Sequence, residues 1–294
     1  MSAIPATQNI KITGEKMPGT LYICATPIGN LEDITLRVLR VLKECDFIAA
    51  EDTRHTLRLL NFYEIKKPQV CYHEHNKAVA GPKIAARIAA GESCALVTDA
   101  GMPGISDPGE DLIRLCHEMG LPVTICPGAS AVVSALALSG LPSGKFCFEG
   151  FIKTDKSGKA AIQALATETR TIVLYEAPHK LVVTLGLLLT ALGDRNACIL
   201  RELTKKFEQR LPGTLSWLIS YFNGTEPRGE FVIVIEGASN ANTDELWDDI
   251  SVTEHVERYI ASGLSEMDAM KRAGKDRGVA KSEIYREFVR GKKR

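Results

Sequence analysis

The chain has 294 residues, of which 45% are hydrophobic and 24% charged, values that are ordinary for a globular protein longer than one average domain. Its 36 basic and 36 acidic side chains cancel, which argues against nucleic-acid binding over the whole surface. The longest apolar runs are strand-sized and far below the roughly 20 residues that a membrane span needs. We therefore predict a cytoplasmic protein that does not cross a membrane.

The amino terminus and the cysteines carry no targeting or metal signal. Residues 1–17 lack a basic start followed by an apolar run and a cleavage site, so we predict a disordered leader rather than a secretory signal. The eight cysteines stand singly, without a CxxC pair, which argues against zinc sites and disulfides. We interpret all eight as small buried core residues in a reducing compartment.

Residues 18–130 alternate short β-branched runs with amphipathic stretches, a pattern that favours a mostly parallel sheet with helices on its faces. The predicted strands are Leu21 to Thr26, Phe47 to Glu51, Val70 to His73, Cys94 to Asp99 and Val123 to Cys126.

Helical periodicity occupies the stretches between these strands. It is seen over Leu36 to Leu42, Ile84 to Ala90 and Glu110 to Met119, with Gly91 and Gly120 placed as left-handed caps. Asp107 followed by Pro108 has the pattern of an N-cap and first helical residue, so we predict that the third helix starts there.

Residues 131–240 form a second predicted α/β lobe with more antiparallel character. A connecting helix over Ala129 to Leu138 precedes its strands, and one clear helix spans Leu181 to Leu192. The predicted strands are Phe146 to Gly150, Thr171 to Tyr175, Ala197 to Arg201 and Phe231 to Glu236.

A linker over residues 238–243 leads to a basic helical tail, residues 244–294. Three short helical patterns follow one another at Val252 to Ser262, Ser265 to Ala273 and Lys281 to Val289. From Lys271 to Arg294 there are ten basic and three acidic residues, an excess of seven positive charges. This tail is either a solvated helical face or a module that contacts phosphates.

The loops after the first five strands are the predicted place for function, because ligands of open α/β sheets bind at the carboxyl ends of strands. None of these loops is GxGxxG or GxxxxGK[ST], which disfavours a nicotinamide enzyme and a P-loop NTPase. The loop DAGMPGISDPG, which starts at Asp99, combines a carboxylate with glycines and prolines that let backbone approach a ligand. This suits a nucleoside-type ligand; alone, such a loop would more often be a rigid surface turn.

Two polar groups in these loops have competing interpretations. His73 and His75 would share one face of a strand and Glu74 the other, so a metal site would need further ligands, and we predict none. Glu51 and Arg54, with the intervening aspartate, form either an ion-pair network or part of a site at a strand end.

Nine segments carry a family resemblance. They are ATPIGNLEDITLR (25–37), AAEDTRHT (49–56), YHEHN (72–76), DAGMPGISDPG (99–109), PGASA (127–131), SGLP (139–142), FEGF (148–151), YEAPHK (175–180) and RELTKKFE (201–208). Together they resemble the tetrapyrrole (corrin/porphyrin) methylase superfamily, and most closely its branch that methylates the 2′-oxygen of a cytidine in small-subunit (16S) ribosomal RNA.

The resemblance implies an α/β fold of the class III methyltransferase type, two lobes with a small carboxy-terminal helical tail, a homodimer, and S-adenosylmethionine held between the lobes. The implied cofactor contacts are Pro27, Gly29, Asp99, Gly101, Met102, Pro103, Ile105, Ser130, Ala131, Ala177, Pro178 and Phe231. Met102 stands where this branch usually has threonine, and Lys180 where arginine is usual.

Methyl transfer from a sulfonium needs positioning above all, together with a base or cation that assists a weakly acidic ribose hydroxyl. The candidate bases are Glu51, His75 and Glu202; Arg54, Lys205 and Lys180 are candidates for holding phosphate or the oxyanion. Phosphate contacts are offered by the tail together with four cations of the second lobe, Arg201, Lys205, Lys206 and Arg210. We expect the substrate to be the assembled 30S subunit.

Two other functions stay open from the sequence. The chain could methylate a tetrapyrrole or another small molecule, although the EDTRHT and YHEHN segments match the RNA branch better. It could also be a non-catalytic ribosome assembly factor that keeps the cleft, which the intact loops argue against.

Overall fold

A computed structural model describes residues 17–153, 155–238, 250–261 and 263–291. In this part of the chain two five-stranded sheets with flanking helices are followed by three carboxy-terminal helices, which confirms the predicted α/β fold with a helical tail. Of the predicted leader only Met17 is described, and of the predicted linker only Ala238; the rest of both lies outside the described residues.

The first sheet is wholly parallel, with strand order β3-β2-β4-β1-β5. Its strands are β1 (Leu21–Cys24), β2 (Phe47–Ala50), β3 (Gln69–Cys71), β4 (Cys94–Val97) and β5 (Val123–Cys126). Four of them end one or two residues before the predicted ends, because Thr26, Glu51, His73 and Asp99 have already turned into the functional loops. All five predicted strands are confirmed.

Helices cover both faces of this sheet. They are α1 (Leu36–Glu44), α2 (Thr53–Phe62), α3 (Lys77–Ala89) and α4 (Glu110–Glu118). Apolar side chains of α1 and α2 pack on one face of the sheet, and those of α3 and α4 on the other. The sequence prediction missed α2. Gly91 and Gly120, with φ of 96° and 67°, lie just past α3 and α4 as predicted.

The predicted start of α4 at Asp107 and Pro108 is wrong. The helix begins at Glu110, after Gly109. A Cβ on Gly109 would lie 2.8 Å from the nitrogen of Gly104, so the backbones of these two glycines are in contact. Because of this contact, residues 104–109 form a closed loop, and Asp107 does not cap the helix.

The second sheet has the order β6-β7-β10-β8-β9, with β6 parallel to β7 and the other neighbours antiparallel. Its strands are β6 (Phe146–Phe151), β7 (Thr171–Glu176), β8 (Asn196–Arg201), β9 (Gln209–Thr214) and β10 (Phe231–Ile235). The four predicted strands are confirmed, and β9 was missed. Pro212 and Gly213 are unusual in a strand, so the sequence pattern does not indicate one there. Because β9 lies at the edge of the sheet, a proline without an N–H donor is tolerated in it.

Helix α5 (Ala131–Ser139) joins the two lobes. It follows β5 of the first sheet, yet Val132, Ala135 and Leu136 pack against Cys198 and Val234 of the second. On the opposite face of the second sheet lie α6 (Lys156–Ala164), α7 (Leu181–Leu192) and α8 (Leu215–Asn223). Helix α7 has the predicted bounds, and α6 and α8 were not predicted.

The tail consists of α9 (Val252–Ala261), α10 (Glu266–Asp276) and α11 (Lys281–Gly291). These helices surround a small core of their own: Val256, Ala269, Met270, Ala273, Ile284 and Phe288. The three predicted helical patterns are confirmed, each within three residues at its ends.

Seven of the eight cysteines are buried, as predicted, but Cys71 is exposed. It is the last residue of the edge strand β3, and its thiol lies 3.5 Å from the carbonyl oxygen of Glu51 at the surface. No helix in the described ranges combines the length and the apolar character that a membrane crossing requires.

Candidate active site

A cavity of about 470 Å³ lies where the carboxyl ends of the first-sheet strands face the second sheet. Its volume is within the range of small-molecule sites. The first lobe contributes loop residues after β1, β2, β4 and β5, and the second lobe contributes the ends of β6, β7, β8 and the start of β10. The site is thus built at the strand ends where the sequence predicted it.

The first lobe supplies an acidic wall. Glu51, Asp99 and Asp107 all line the cavity, each from a loop after a strand. The backbone N–H of Asp99 donates to Oε2 of Glu51 (3.4 Å), and that of Asp52 donates to Oδ1 of Asp99 (3.3 Å). Burial raises the pKa of Glu51, and burial with the charges of Glu51 and Asp99 raises the pKa of Asp107 to about 7.

The loop after β4 owes its shape to backbone contacts. Thr26 and Gly101 form an antiparallel bridge, with N···O distances of 2.8 and 3.0 Å. Gly101 has φ of 80°, a conformation that glycine adopts at little cost, and Ser106 has φ of 64°. The result is that Met102, Ile105 and Ser106 line the cavity.

The start of α5 forms another side of the cavity. Ser130 and Ala131 line it, and the Ser130 hydroxyl makes no capping bond to the helix. The first amides of a helix have no partner within the helix and carry partial positive charge. This end of the cavity can therefore receive an anionic group.

The second lobe supplies an apolar wall. Leu200, Phe231 and Val232 come from β8 and β10, and Leu203 follows β8; Ile28 of the first lobe packs beside them. These surfaces suit a flat, largely apolar ring system.

A buried carboxylate fixes the turn after β7. Glu176 is 3% exposed; its Oε1 accepts from the N–H of Ala177 (2.7 Å), and its Oε2 accepts from the hydroxyl of Thr184 (2.5 Å). These bonds tie the turn to α7 and leave Ala177 and Pro178 facing the cavity.

Many of the residues predicted as cofactor contacts meet at this cavity. Those that line it are Asp99, Gly101, Met102, Ile105, Ser130, Ala131, Ala177, Pro178 and Phe231. Pro27, Gly29 and Pro103 do not line it. A Cβ on Gly29 would lie 2.5 Å from Cγ of Lys205, so this glycine lets the loop after β1 pack against the loop after β8.

Of the six candidate residues for base, phosphate or oxyanion roles, Glu51 lines the cavity and the other five do not. Arg54 has a side chain 88% exposed and forms two hydrogen bonds to Asp52, 3.1 and 2.7 Å long. Lys180, the residue before α7, is also off the cavity wall.

Glu202 and Lys205 form an ion-pair network at the rim. The ammonium of Lys205 donates to Glu202 (3.0 Å) and to Glu230 (2.9 Å), and Glu202 also accepts from the N–H of Glu230 (2.9 Å). Because Glu230 lines the cavity and the other two do not, the network holds the rim in shape.

His73 and His75 lie beyond the end of β3, so the argument from strand alternation does not apply to them. Their rings are 5.9 Å apart, edge to face, and His75 does not line the cavity. Among the described residues no group of three metal-ligating side chains comes together.

Sequence reasoning missed several cavity residues. Asp107 had been assigned to a helix cap, although it stands in the same glycine-rich loop as Asp99. Ile28, Phe151 and Tyr175 stand in the resembling segments and Val232 in a predicted strand, but none was named as a contact, and the meeting of the two sheets brings them to the cavity wall. Tyr175 also stacks edge to face with Phe151, with ring centroids 5.4 Å apart.

Comparison with known proteins gives a consistent result. The family model Tetrapyrrole (Corrin/Porphyrin) Methylases matches residues 20–219, more than half of the chain. A Bacillus subtilis protein named ribosomal RNA small subunit methyltransferase I is 44% identical over 95% of this chain and 97% of its own length. A Thermotoga maritima protein of the same name is 46% identical over 74% of this chain and 99% of its own.

Solved structures agree on the fold. Uroporphyrin-III C-methyltransferase from Thermus thermophilus, complexed with S-adenosylhomocysteine, has a TM-score of 0.54 and 19% identity over 74% of this chain and 97% of that one. Diphthine synthase has a TM-score of 0.60 and 16% identity over 74% of this chain and 90% of its own. The family resemblance predicted from the nine segments is confirmed: the chain belongs to the tetrapyrrole (corrin/porphyrin) methylase family, in the branch that includes the ribosomal RNA small subunit methyltransferase I proteins.

Proposed function

We propose that this protein transfers a methyl group from S-adenosylmethionine to the 2′-oxygen of a cytidine ribose in small-subunit ribosomal RNA. The observation that carries the proposal is the cavity between the two lobes, with one acidic and one apolar wall, in a chain 44% identical over nearly its whole length to a protein named for this RNA.

The chemistry of the cavity fits the cofactor. Phe231 and Val232 offer an apolar surface for the adenine ring, and the Asp99 carboxylate can accept hydrogen bonds from ribose hydroxyls. Ser130 and the amides at the start of α5 suit the carboxylate of the methionine part. When bound, this cofactor supplies an electrophilic methyl carbon on a positively charged sulfur.

The acidic wall is placed to act on both reactants. The charges of Glu51 and Asp99 favour a cation in the cavity and therefore the sulfonium centre. Of the bases predicted from sequence, Glu51 is the one on the cavity wall, and His75 and Glu202 do not line the cavity.

Helix α2 supports an RNA substrate. It starts two residues after Glu51, contains no acidic residue, and exposes Arg54, His55 and Arg58. A basic face beside the cavity can hold the phosphates on either side of the reacting nucleotide, without reading base identity.

Three of the four lobe cations that the sequence analysis grouped with the basic tail for phosphate contacts are engaged elsewhere. Arg201 donates to the carbonyl of Arg228 (2.6 Å), and Arg210 to the carbonyls of Leu138 (2.9 Å) and Ser139. Lys205 belongs to the rim network, whereas Lys206 is exposed. In the tail, Lys271, Arg272 and Arg290 are exposed and add to the surface that we propose for the 30S subunit.

A homodimer is part of the proposal. The edge strand β5 leaves Ile125 exposed, and α5 leaves Val133 exposed, which is apolar surface of the kind that dimer interfaces bury. Sedimentation analysis of the purified chain tests this directly.

The test of the function is transfer of labelled methyl from S-adenosylmethionine to 30S subunits from cells that lack the enzyme, compared with free ribosomal RNA. Nucleoside mass spectrometry then identifies the product. 2′-O-methylcytidine formed on subunits is the expected result. No transfer to any RNA by a chain that still binds the cofactor would overturn the proposal in favour of a small-molecule substrate.

A further inference from the structure

Asp107 differs from the other carboxylates in the cavity. It lines the wall from the loop after β4, and within the described residues it has neither a hydrogen-bond donor nor a cation beside it. Only burial and the charges of Glu51 and Asp99 act on its ionisation.

The four other carboxylates that line the cavity are each held by a donor. Glu51 accepts from the N–H of Asp99, Asp99 from the N–H of Asp52, and Glu230 pairs with Lys205. Glu176 accepts two hydrogen bonds within its turn. Among the carboxylates of the described residues that line this cavity, Asp107 is therefore the one whose oxygens are not engaged by a donor.

Backbone contacts position Asp107 in place of side-chain bonds. The loop is tied at one end by the bridge between Thr26 and Gly101 and at the other by the contact of Gly104 with Gly109. Ser106, directly before Asp107, has φ of 64°, and its Oγ lies 3.0 Å from the position of a Cβ on Gly150 of β6. The carboxylate is thus presented to the cavity by a loop braced against both lobes.

We propose that Asp107 is the general base of the methyl transfer. This inference rests on the proposed function and names the residue that takes the proton. The ribose 2′-oxygen forms a bond to the methyl carbon while the carbon–sulfur bond of the donor breaks, and that electron pair stays on sulfur. The hydroxyl proton passes to a carboxylate oxygen of Asp107 and is then released to solvent.

The surroundings suit this role. The other titratable groups that line the cavity are Glu51 on the loop after β2, Asp99 after β4, Tyr175 and Glu176 on β7, and Glu230 before β10. The charges of Glu51 and Asp99 raise the pKa of Asp107, and the remaining groups leave its carboxylate unpaired. The resulting pKa of about 7 is close to the pH at which a general base works best in a neutral solution.

The test compares Asp107→Asn, Asp107→Glu and, as a matched control, Glu110→Gln in the same segment, where the glutamate side chain is 83% exposed. We expect Asp107→Asn to lower kcat on 30S subunits about 10²- to 10⁴-fold, the usual contribution of a general base. The Kd for S-adenosylmethionine, measured by calorimetry, should change less than about threefold, because no partner of the cofactor is removed. Glu110→Gln should match the wild type in both measurements.

The pH profile gives a second readout. Wild-type kcat should rise with an apparent pKa near 7, and this limb should be absent from Asp107→Asn and shifted in Asp107→Glu. If the asparagine variant does not fold by circular dichroism, the glutamate variant decides: an unshifted limb overturns the inference.

One further outcome overturns it: Asp107→Asn keeps the kcat of the wild type. If that variant also raises the cofactor Kd more than tenfold, Asp107 is instead a partner of the cofactor's cationic groups. Failure of the proposed function is distinguishable, because wild-type enzyme would then transfer no methyl to subunits.

Discussion

The two walls of the cavity are built by different means. On the first-lobe side the residues belong to loops beyond the strand ends, they are charged, and backbone conformations such as φ of 80° at Gly101 shape them. On the second-lobe side Leu200, Phe231 and Val232 belong to the strands themselves and also to the protein core. Substitutions in the first-lobe loops should therefore affect the reaction, and substitutions in the second-lobe strands should affect the stability of the fold.

The largest effect is expected on the apolar wall. Leu200→Ala should lower the free energy of unfolding by about 2–5 kcal/mol, because Leu200 is 0% exposed and packs in a core with Val232 and Val234. Urea unfolding followed by circular dichroism measures this. Leu138→Ala on α5, at a leucine 40% exposed, is the control and should cost much less. Equal losses at the two positions would show that Leu200 is not part of a packed wall.

The acidic wall should respond in the opposite way. Asp99→Asn should weaken S-adenosylmethionine binding by about 1.5–3 kcal/mol, the contribution of hydrogen bonds to a charged group, and leave the melting temperature of the free protein nearly unchanged. Calorimetric titration and thermal unfolding measure the two quantities, with exposed Asp33→Asn as the control. A large drop in melting temperature with intact binding would remove the distinction between the walls.

The pH dependence of protein stability tests the same comparison at Asp107. Its pKa is about 7 in the folded protein, above the ordinary 3.8, so the folded state holds more protons than the unfolded state between these values. Stability from this group is therefore lost as pH rises from about 4 to about 7. Asp107→Asn should melt a few degrees above the wild type at pH 8 and close to it at pH 5. A difference that does not depend on pH would contradict this reasoning.

The smallest effect is expected on the surface. Arg58→Glu should weaken binding to 30S subunits by a few fold and reduce the slope of log Kd against log salt by about one, because one phosphate contact is lost. Filter binding over a salt series measures it. Lys83→Glu, an exposed lysine on α3 at the opposite face of the first sheet, makes the same charge change and should leave the slope unaltered.

Sequence patterns predicted the first lobe better than the second. Its central strands β2 and β4 are buried on both faces, so each is a continuous apolar run such as Phe47–Ala50. Strand β9 alternates half-buried and exposed residues around Pro212, so it has no continuous apolar run by which it could be predicted. Helix α2 was missed because its exposed face mixes Leu57 and Phe62 with arginine, which weakens the helical periodicity.

For the site, motifs predicted which loops meet but not which side chains face the cavity. Asp107 has the local sequence of a helix cap, and only the contact between Gly104 and Gly109 reassigns it. The pairing of Lys205 with Glu230, 25 residues later in the chain, likewise depends on how β8 and β10 pair. Such long-range contacts are not encoded in any short window of sequence.

The packing of α5 has a consequence for synthesis on the ribosome. Ile28 of the first lobe shares a core with Val232 and Val234, which are made some two hundred residues later. Contacts of such sequence separation form late, and until then the partner surface of Ile28 and Val132 is open to solvent. The nascent chain can complete its first sheet early, but the cleft closes only when β10 has left the exit tunnel, so a truncated product cannot carry a finished active site.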